Sequence, residues 1–178
     1  GDILFPLVHT EQLVASGIAR NQIRYVAITA ADLTQDGGYA TQSVKALLSS
    51  PLHRDDVVVM CGGDILSADW MLMVAHLHST LFLKVARVAR RLLGVVRTND
   101  MARRLLGEKN AFPYVISRND CGASIYFTAV GGAGFQSERH VQRVAAELQQ
   151  TDGVSVRDKE VQQLLAKAGV SAALVPDT

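Results

Sequence analysis

The residues best placed for chemistry are an Arg-Asp pair and two glycine-rich stretches. Arg157 follows the short apolar run 154–156 and stands directly before Asp158. An arginine at a strand-to-helix junction can offer a two-pronged contact to a carboxylate or phosphate. Asp158 suits the N-cap of the helix that follows, whose start adds to the attraction for anions. From position alone, an ion pair of Arg157 with Asp158 or another carboxylate is the simpler expectation. Gly62 and Gly63, with Asp64 after them, follow the most apolar stretch of the chain, 56–60. Gly131, Gly132, Ala133 and Gly134 follow the run 124–130. Glycines after a strand let backbone N–H groups approach an anion at a helix start. A tight turn with no ligand is the alternative at both places. Neither stretch is a P-loop, because no Gly-Lys-Ser/Thr follows, and neither has the Gly-x-Gly-x-x-Gly spacing of the dinucleotide fingerprint.

Other chemistries find little in the residue pattern. His76 and His78 lie two apart in a helical stretch and point to different faces, and His9, His53 and His140 have no readable partner. Cys61 and Cys121 have no CxxC or CxH neighbour, which argues against zinc, and a chain of this size needs no disulfide framework. No metal site is expected. There is no Gly-x-Ser-x-Gly elbow and so no hydrolase signal. A formal net charge of +1 shows no overall footprint for nucleic acid. The clusters Arg87, Arg90, Arg91 and Arg103, Arg104 read as solvated helical faces.

These residues need elements to hold them. With 178 residues, 48% of them apolar and 20% charged, the chain suits one domain with a full core. Apolar β-branched runs alternate with helical patterns, which favours a parallel sheet covered by helices on both faces. Strands are expected at 24–30, 56–60, 112–117, 124–130, 154–156 and 173–175. Helices are expected at 4–16, 41–49, 67–93 (one long helix), 99–106, 137–150 and 159–168, with 33–38 a polar loop. The fragment RRLLG occurs at 90–94 and 103–107 and reads as two similar helix endings. No apolar run is long enough to span a bilayer. The first residues lack the pattern of a signal peptide, which points to the cytoplasm, and a start other than Met points to a processed or trimmed chain. In open parallel sheets ligands bind outside the carboxyl ends of the strands, near a reversal of strand order. Four loops qualify, 29–36, 61–64, 131–134 and 157–158, and the expected ligand is a small anion.

The run 153–177, GVSVRDKEVQQLLAKAGVSAALVPD, resembles the polysaccharide pyruvyl transferase pattern of strand, Arg-Asp, helix, Gly-Val and a strand ending in Pro-Asp. The matching residues are Val156-Arg157-Asp158, Leu164-Leu165, Gly169-Val170 and Val175-Pro176-Asp177. Upstream, Cys61-Gly62-Gly63-Asp64 is similar to the family's glycine-rich loop, and VGGAGF at 130–135 to its later glycine loop. Gly1-Asp2 before an apolar helix is similar to the family's Asn-x-Gly-Asp opening of its first helix. The resemblance is thin between 94 and 123. It implies a Rossmann-like α/β domain that forms the amino-terminal half of a GT-B-like enzyme, with the active site in the cleft between two halves. It implies transfer of pyruvyl from phosphoenolpyruvate to a sugar as a ketal, with release of phosphate, in the assembly of cell-surface or exopolysaccharides. Phosphoenolpyruvate is then a donor substrate, a glycan the acceptor, and no other cofactor is expected. By the same resemblance Arg157 is a donor-binding cation, and Asp2, Gly62, Gly63 and Asp64 line the cleft. The family's second half supplies a histidine and further basic residues, so a carboxyl-terminal domain outside this chain is the implied partner. The alternatives are half of a GT-B glycosyltransferase, or a binding or assembly module that kept the fold and lost the site.

Overall fold

A computed structural model describes residues 4–50, 52–78, 80–116, 118, 121–135 and 137–175, without the side chains of 76–83. Its centre is a four-stranded, all-parallel sheet of β4 (Val57–Cys61), β5 (Ser124–Val130), β6 (Gly153–Val156) and β7 (Ala173–Leu174). The order is β4-β5-β6-β7, so strands adjacent in sequence are adjacent in space and the order does not reverse. This is an α/β architecture, compatible with a Rossmann-like domain.

β5 shows why the sheet sits where it does. Ile125, Phe127 and Val130 are buried, and they meet Val144 and Leu148 of α6 (Glu138–Leu148) and Leu165 of α7 (Lys159–Lys167) in one core. Each such side chain contributes about 1.5–3 kcal/mol of burial. α6 starts where Ser137 accepts the His140 N–H at 3.2 Å, and its apolar positions recur at helical spacing toward the sheet.

Upstream, α1 (Leu4–Ala15) is followed by a separate small sheet of β1 (Val26–Ala27), β2 (Ala31–Asp32) and β3 (Ala40–Ser43), in the order β1-β3-β2. The strand expected over 24–30 is thus only two residues long and does not join the main sheet. After β2, Thr34 donates its N–H to Asp32 Oδ1 at 3.0 Å and closes a side-chain turn. A 3-10 turn, Thr34–Asp36, occupies the expected polar loop. α2 (Val44–Ser49) begins at Ser43, whose hydroxyl accepts the Ala46 N–H.

Two further expectations are corrected. Of the strand expected over 112–117, the described residues 112–116 are not extended: Phe112 and Val115 form an isolated bridge with Pro113, which has no N–H to donate, between them. Its apolar residues are buried as a compact turn, so burial without extension produced the strand-like pattern. The helix expected over 67–93 starts later: Ile65–Ser67 is a 3-10 turn, and the helical residues are α3 (Trp70–His78) and α4 (Thr80–Leu93), with residue 79 between them outside the described residues. Asp69 fixes the start of α3 by accepting the Leu72 N–H at 2.9 Å. α5 (Val95–Leu106) follows, and α3, α4 and α5 pack on one another. The two RRLLG fragments close α4 and α5 at Gly94 and Gly107.

Polar groups tie these helices to the core. Trp70 N–H donates to Asn99 Oδ1 at 2.9 Å, and Asn99 Nδ2 donates to Ala111 O at 2.8 Å. Arg90 does not belong to a solvated face. It is buried and pairs with buried Asp69 at 2.8 Å. No helix among the described residues is long and apolar enough to cross a membrane.

Candidate functional site at the carboxyl ends of the central strands

The loops after β4, β5 and β6 interlock. Gly62 N–H donates to Thr128 O at 3.1 Å, Gly131 N–H to Gly63 O at 2.7 Å, and Leu66 N–H to Gly131 O at 3.1 Å. Arg157 N–H donates to Val130 O at 3.3 Å, bringing the third loop against the second. Arg157 then reaches across: its Nη2 lies 3.0 Å from Asp64 Oδ1, and its Nε 3.6 Å from Asp158 Oδ2. The residues singled out at 62–64, 131–134 and 157 therefore meet at one end of the sheet. They meet there without a reversal of strand order, because three successive parallel strands deliver their loops side by side. Asp2 lies outside the described residues.

The glycines have steric work to do. A Cβ on Gly131 would lie 2.2 Å from Asp64 Oδ1 and 2.8 Å from Arg157 Nε. One on Gly134 would lie 2.7 Å from Ser67 Oγ, and one on Gly132 2.6 Å from the Phe135 ring. Gly62 has φ +65° and faces the Phe5 ring of α1, which a Cβ would meet at 2.2 Å. Two of the loop amides, those of Gly62 and Gly131, are spent on neighbouring carbonyls. Tight turns thus account for much of the glycine content here.

An open cleft of about 400 Å³ lies between Gly132, Ala133 and Phe135 on one side and the start of α7, Arg157 to Glu160, on the other. Gly132 and Arg157 line it. Asp158 stands at the N-cap of α7 but does not cap it; its carboxylate turns toward Arg157 instead. The local ion pairs expected from position are present, with Asp64 as the nearer partner. Lys159 and Glu160 complete a rim of mixed charge around the α7 N-terminus. The two cations and two carboxylates of this rim balance, and Phe135 and Leu164 give the cleft apolar surface.

Several site residues carried no legible signal. Ala129 has φ +50°, the left-handed region that non-glycine residues rarely adopt, and it sits where the β5–β6 register shifts between Phe127 and Val130. Ser155 holds this bulge: its Oγ accepts the Ala129 N–H at 2.9 Å and donates to Phe127 O at 3.3 Å. The bulge re-aims the end of β5 so that Gly131 meets Gly63. Strain of this kind gathers at functional sites. The small residues Ala129 and Ser155 are its only sequence trace.

His140 is the other such residue. It is buried behind the glycine loop, with its ring 5.1 Å from Phe112 and 5.2 Å, edge on, from Phe135. Neither ring nitrogen has a hydrogen-bond partner among the described residues. Burial, and then Arg90 and Arg143, lower its pKa to about 4 from an ordinary 6.5. The unfolded chain therefore binds more protons than the folded one between these values. Stability is expected to be full above about pH 6.5 and to fall as pH drops toward 4, by on the order of 2 kcal/mol. Asp69, whose carboxyl burial pushes up, works in the opposite direction. Chemical denaturation of wild type and His140→Leu across this range isolates the histidine. The wild-type curve should lose stability relative to the variant as pH falls, and parallel curves would refute the assignment.

No family model, curated protein or solved structure matches the chain.

Proposed function

We propose that this chain is the amino-terminal half of a polysaccharide pyruvyl transferase, and that the Arg157 cleft receives the anionic groups of phosphoenolpyruvate. The observation that carries this reading is the meeting of the loops 62–64 and 131–134 with Arg157 at one end of the sheet, beside a cleft that Gly132, Ala133 and Arg157 line. Those are the stretches in which the family resemblance resides. In the reaction, an acid protonates the methylene carbon of the donor and one sugar hydroxyl adds to the adjacent carbon. A second hydroxyl then displaces phosphate, which closes the ketal. Cations must hold the carboxylate and phosphate as charge shifts between them. Arg157 supplies one such cation, with the α7 N-terminus and Lys159 beside it. An arriving anion takes the place of Asp64 at Arg157 Nη2, while Asp158 beside Nε keeps the guanidinium in position. The proton donor and the acceptor site belong to the second, GT-B-like domain.

One observation favours a different reading, a binding module that kept the fold. The arginine is already paired with carboxylates, and two of the loop amides are internally used. Thermal denaturation with phosphoenolpyruvate, and with a nucleotide sugar for comparison, separates the two. A ligand at 100 times its Kd stabilises by about 2.7 kcal/mol, a rise in Tm of about 5 °C or more. The pyruvyl transferase reading expects that rise with phosphoenolpyruvate alone and its loss in Arg157→Ala. A response to the nucleotide sugar alone would assign the chain to the glycosyltransferases. No response from the chain joined to its second domain would leave the module reading standing.

A further inference from the structure

Positive charge is concentrated on helices α4 and α5, which carry seven of the chain's 18 Lys and Arg. Residues 84–107 contain seven Lys or Arg and one carboxylate, Asp100, a local charge of +6. The whole chain carries only +1, so the remainder sums to −5. Two of the seven cations are occupied, Arg90 by Asp69 and Arg103 by Lys109 O at 3.0 Å. Asp100 is held by Arg143 at 2.8 Å. The other five, Lys84, Arg87, Arg91, Arg97 and Arg104, are exposed.

Large apolar side chains are exposed among them. On α4, Val85 is 57%, Val88 58% and Leu92 78% exposed; on α5, Leu105 is 85% exposed. At helical spacing, Val85, Val88 and Leu92 form one row, and Lys84, Arg87 and Arg91 form the row beside it. The buried side of α4 is set by Ala86 and Arg90, so both rows face outward. A shallow apolar depression runs along α4, lined by Lys84, Val85, Val88, Ala89, Leu92 and Leu93.

Contiguous exposed apolar surface marks an interaction site, and the charge beside it selects the occupant. A second copy of the same face would set Lys84, Arg87 and Arg91 against their own equivalents without a compensating carboxylate, which is repulsive. Nucleic acid would satisfy the cations but give Val85, Val88 and Leu92 nothing to bury against. An anionic bilayer surface satisfies both rows: lipid phosphates meet the cations, and the aliphatic side chains enter the boundary between headgroups and acyl chains. We propose that the outward face of α4 seats this protein on an anionic membrane surface.

The test is co-sedimentation of the chain with vesicles of phosphatidylcholine, with and without phosphatidylglycerol. Binding is expected only to the vesicles that contain phosphatidylglycerol, and it should weaken with added salt. V88E/L92E and R87Q/R91Q should each reduce partitioning by about tenfold or more, whereas R54Q, an exposed charge outside these helices, should not. All substituted positions are exposed, and unchanged melting curves will show that the fold is kept. Absence of binding to the anionic vesicles overturns the proposal, as does wild-type partitioning by V88E/L92E. A concentration-dependent dimer dispersed by V88E/L92E, or oligonucleotide binding without vesicle binding, would assign the face to those partners and equally overturn it.

Discussion

Asp69→Ala is expected to cost about 3–5 kcal/mol and to lower Tm by about 10 °C or more. Asp69 does two things from a fully buried position. Its Oδ1 accepts the Leu72 N–H at the start of α3, and its Oδ2 lies 2.8 Å from Arg90 Nη2. Removing the carboxylate leaves Arg90, itself buried, as an uncompensated charge at the junction of α3, α4 and α5. The buried charge dominates, because losing the cap alone costs about 1 kcal/mol. Asp69→Asn separates the two contributions. It keeps an oxygen for Leu72 and loses the charge, so it should recover only the smaller part. The double variant Asp69→Leu/Arg90→Leu should be far more stable than Asp69→Ala, since a buried pair replaced as a unit leaves no orphan. Urea unfolding of the three variants decides the matter. Equal losses in Asp69→Ala and the double variant would show that the pair is not the source of the cost.

That Asp69–Arg90 pair also shows where the sequence stops being legible. Arg90 lies in a run with Arg87 and Arg91, and all three look alike as members of a solvated face. Only the packing of α3 against α4 turns Arg90 inward, and nothing local announces that contact. The elements around the site were readable for the opposite reason. β4, β5 and β6 are short apolar runs bounded by glycine or aspartate, and α6 and α7 have clear apolar periodicity, so local pattern and tertiary burial agree there. The pattern misled where burial came without extension, as at Phe112 and Val115 around Pro113, and at 24–30, where only Val26–Ala27 is a strand and pairs outside the main sheet. The positions of Gly62, Asp64, Gly131 and Arg157 were legible because loops at the carboxyl ends of neighbouring parallel strands must meet. Their partners across space, Asp64 for Arg157 and Phe5 for Gly62, were not.

Gly131→Ala is the sharpest probe of that meeting point, with a large effect on the site and a small one on the fold. The backbone at Gly131 is not in the left-handed region, so alanine fits its dihedral angles. Its methyl group, however, would lie 2.2 Å from Asp64 Oδ1 and 2.8 Å from Arg157 Nε. Both are atoms of flexible side chains, which can move apart at little cost. The variant should therefore stay within about 1 kcal/mol of wild type, while the Asp64–Arg157 pair separates and any anion response of the cleft falls by tenfold or more. Gly62→Ala is the contrast. There the new methyl group meets the Phe5 ring between α1 and β4 at a φ of +65°, so the loss should appear in Tm. Melting curves with and without phosphoenolpyruvate, together with nuclear magnetic resonance signals of the Arg157 side-chain N–H groups, distinguish the two outcomes. If Gly131→Ala leaves those signals and the ligand response unchanged, glycine at 131 is not what keeps Arg157 at the cleft edge. If the signals change while Tm holds, the glycine loop and the arginine form one functional unit, separable from the stability of the sheet beneath them.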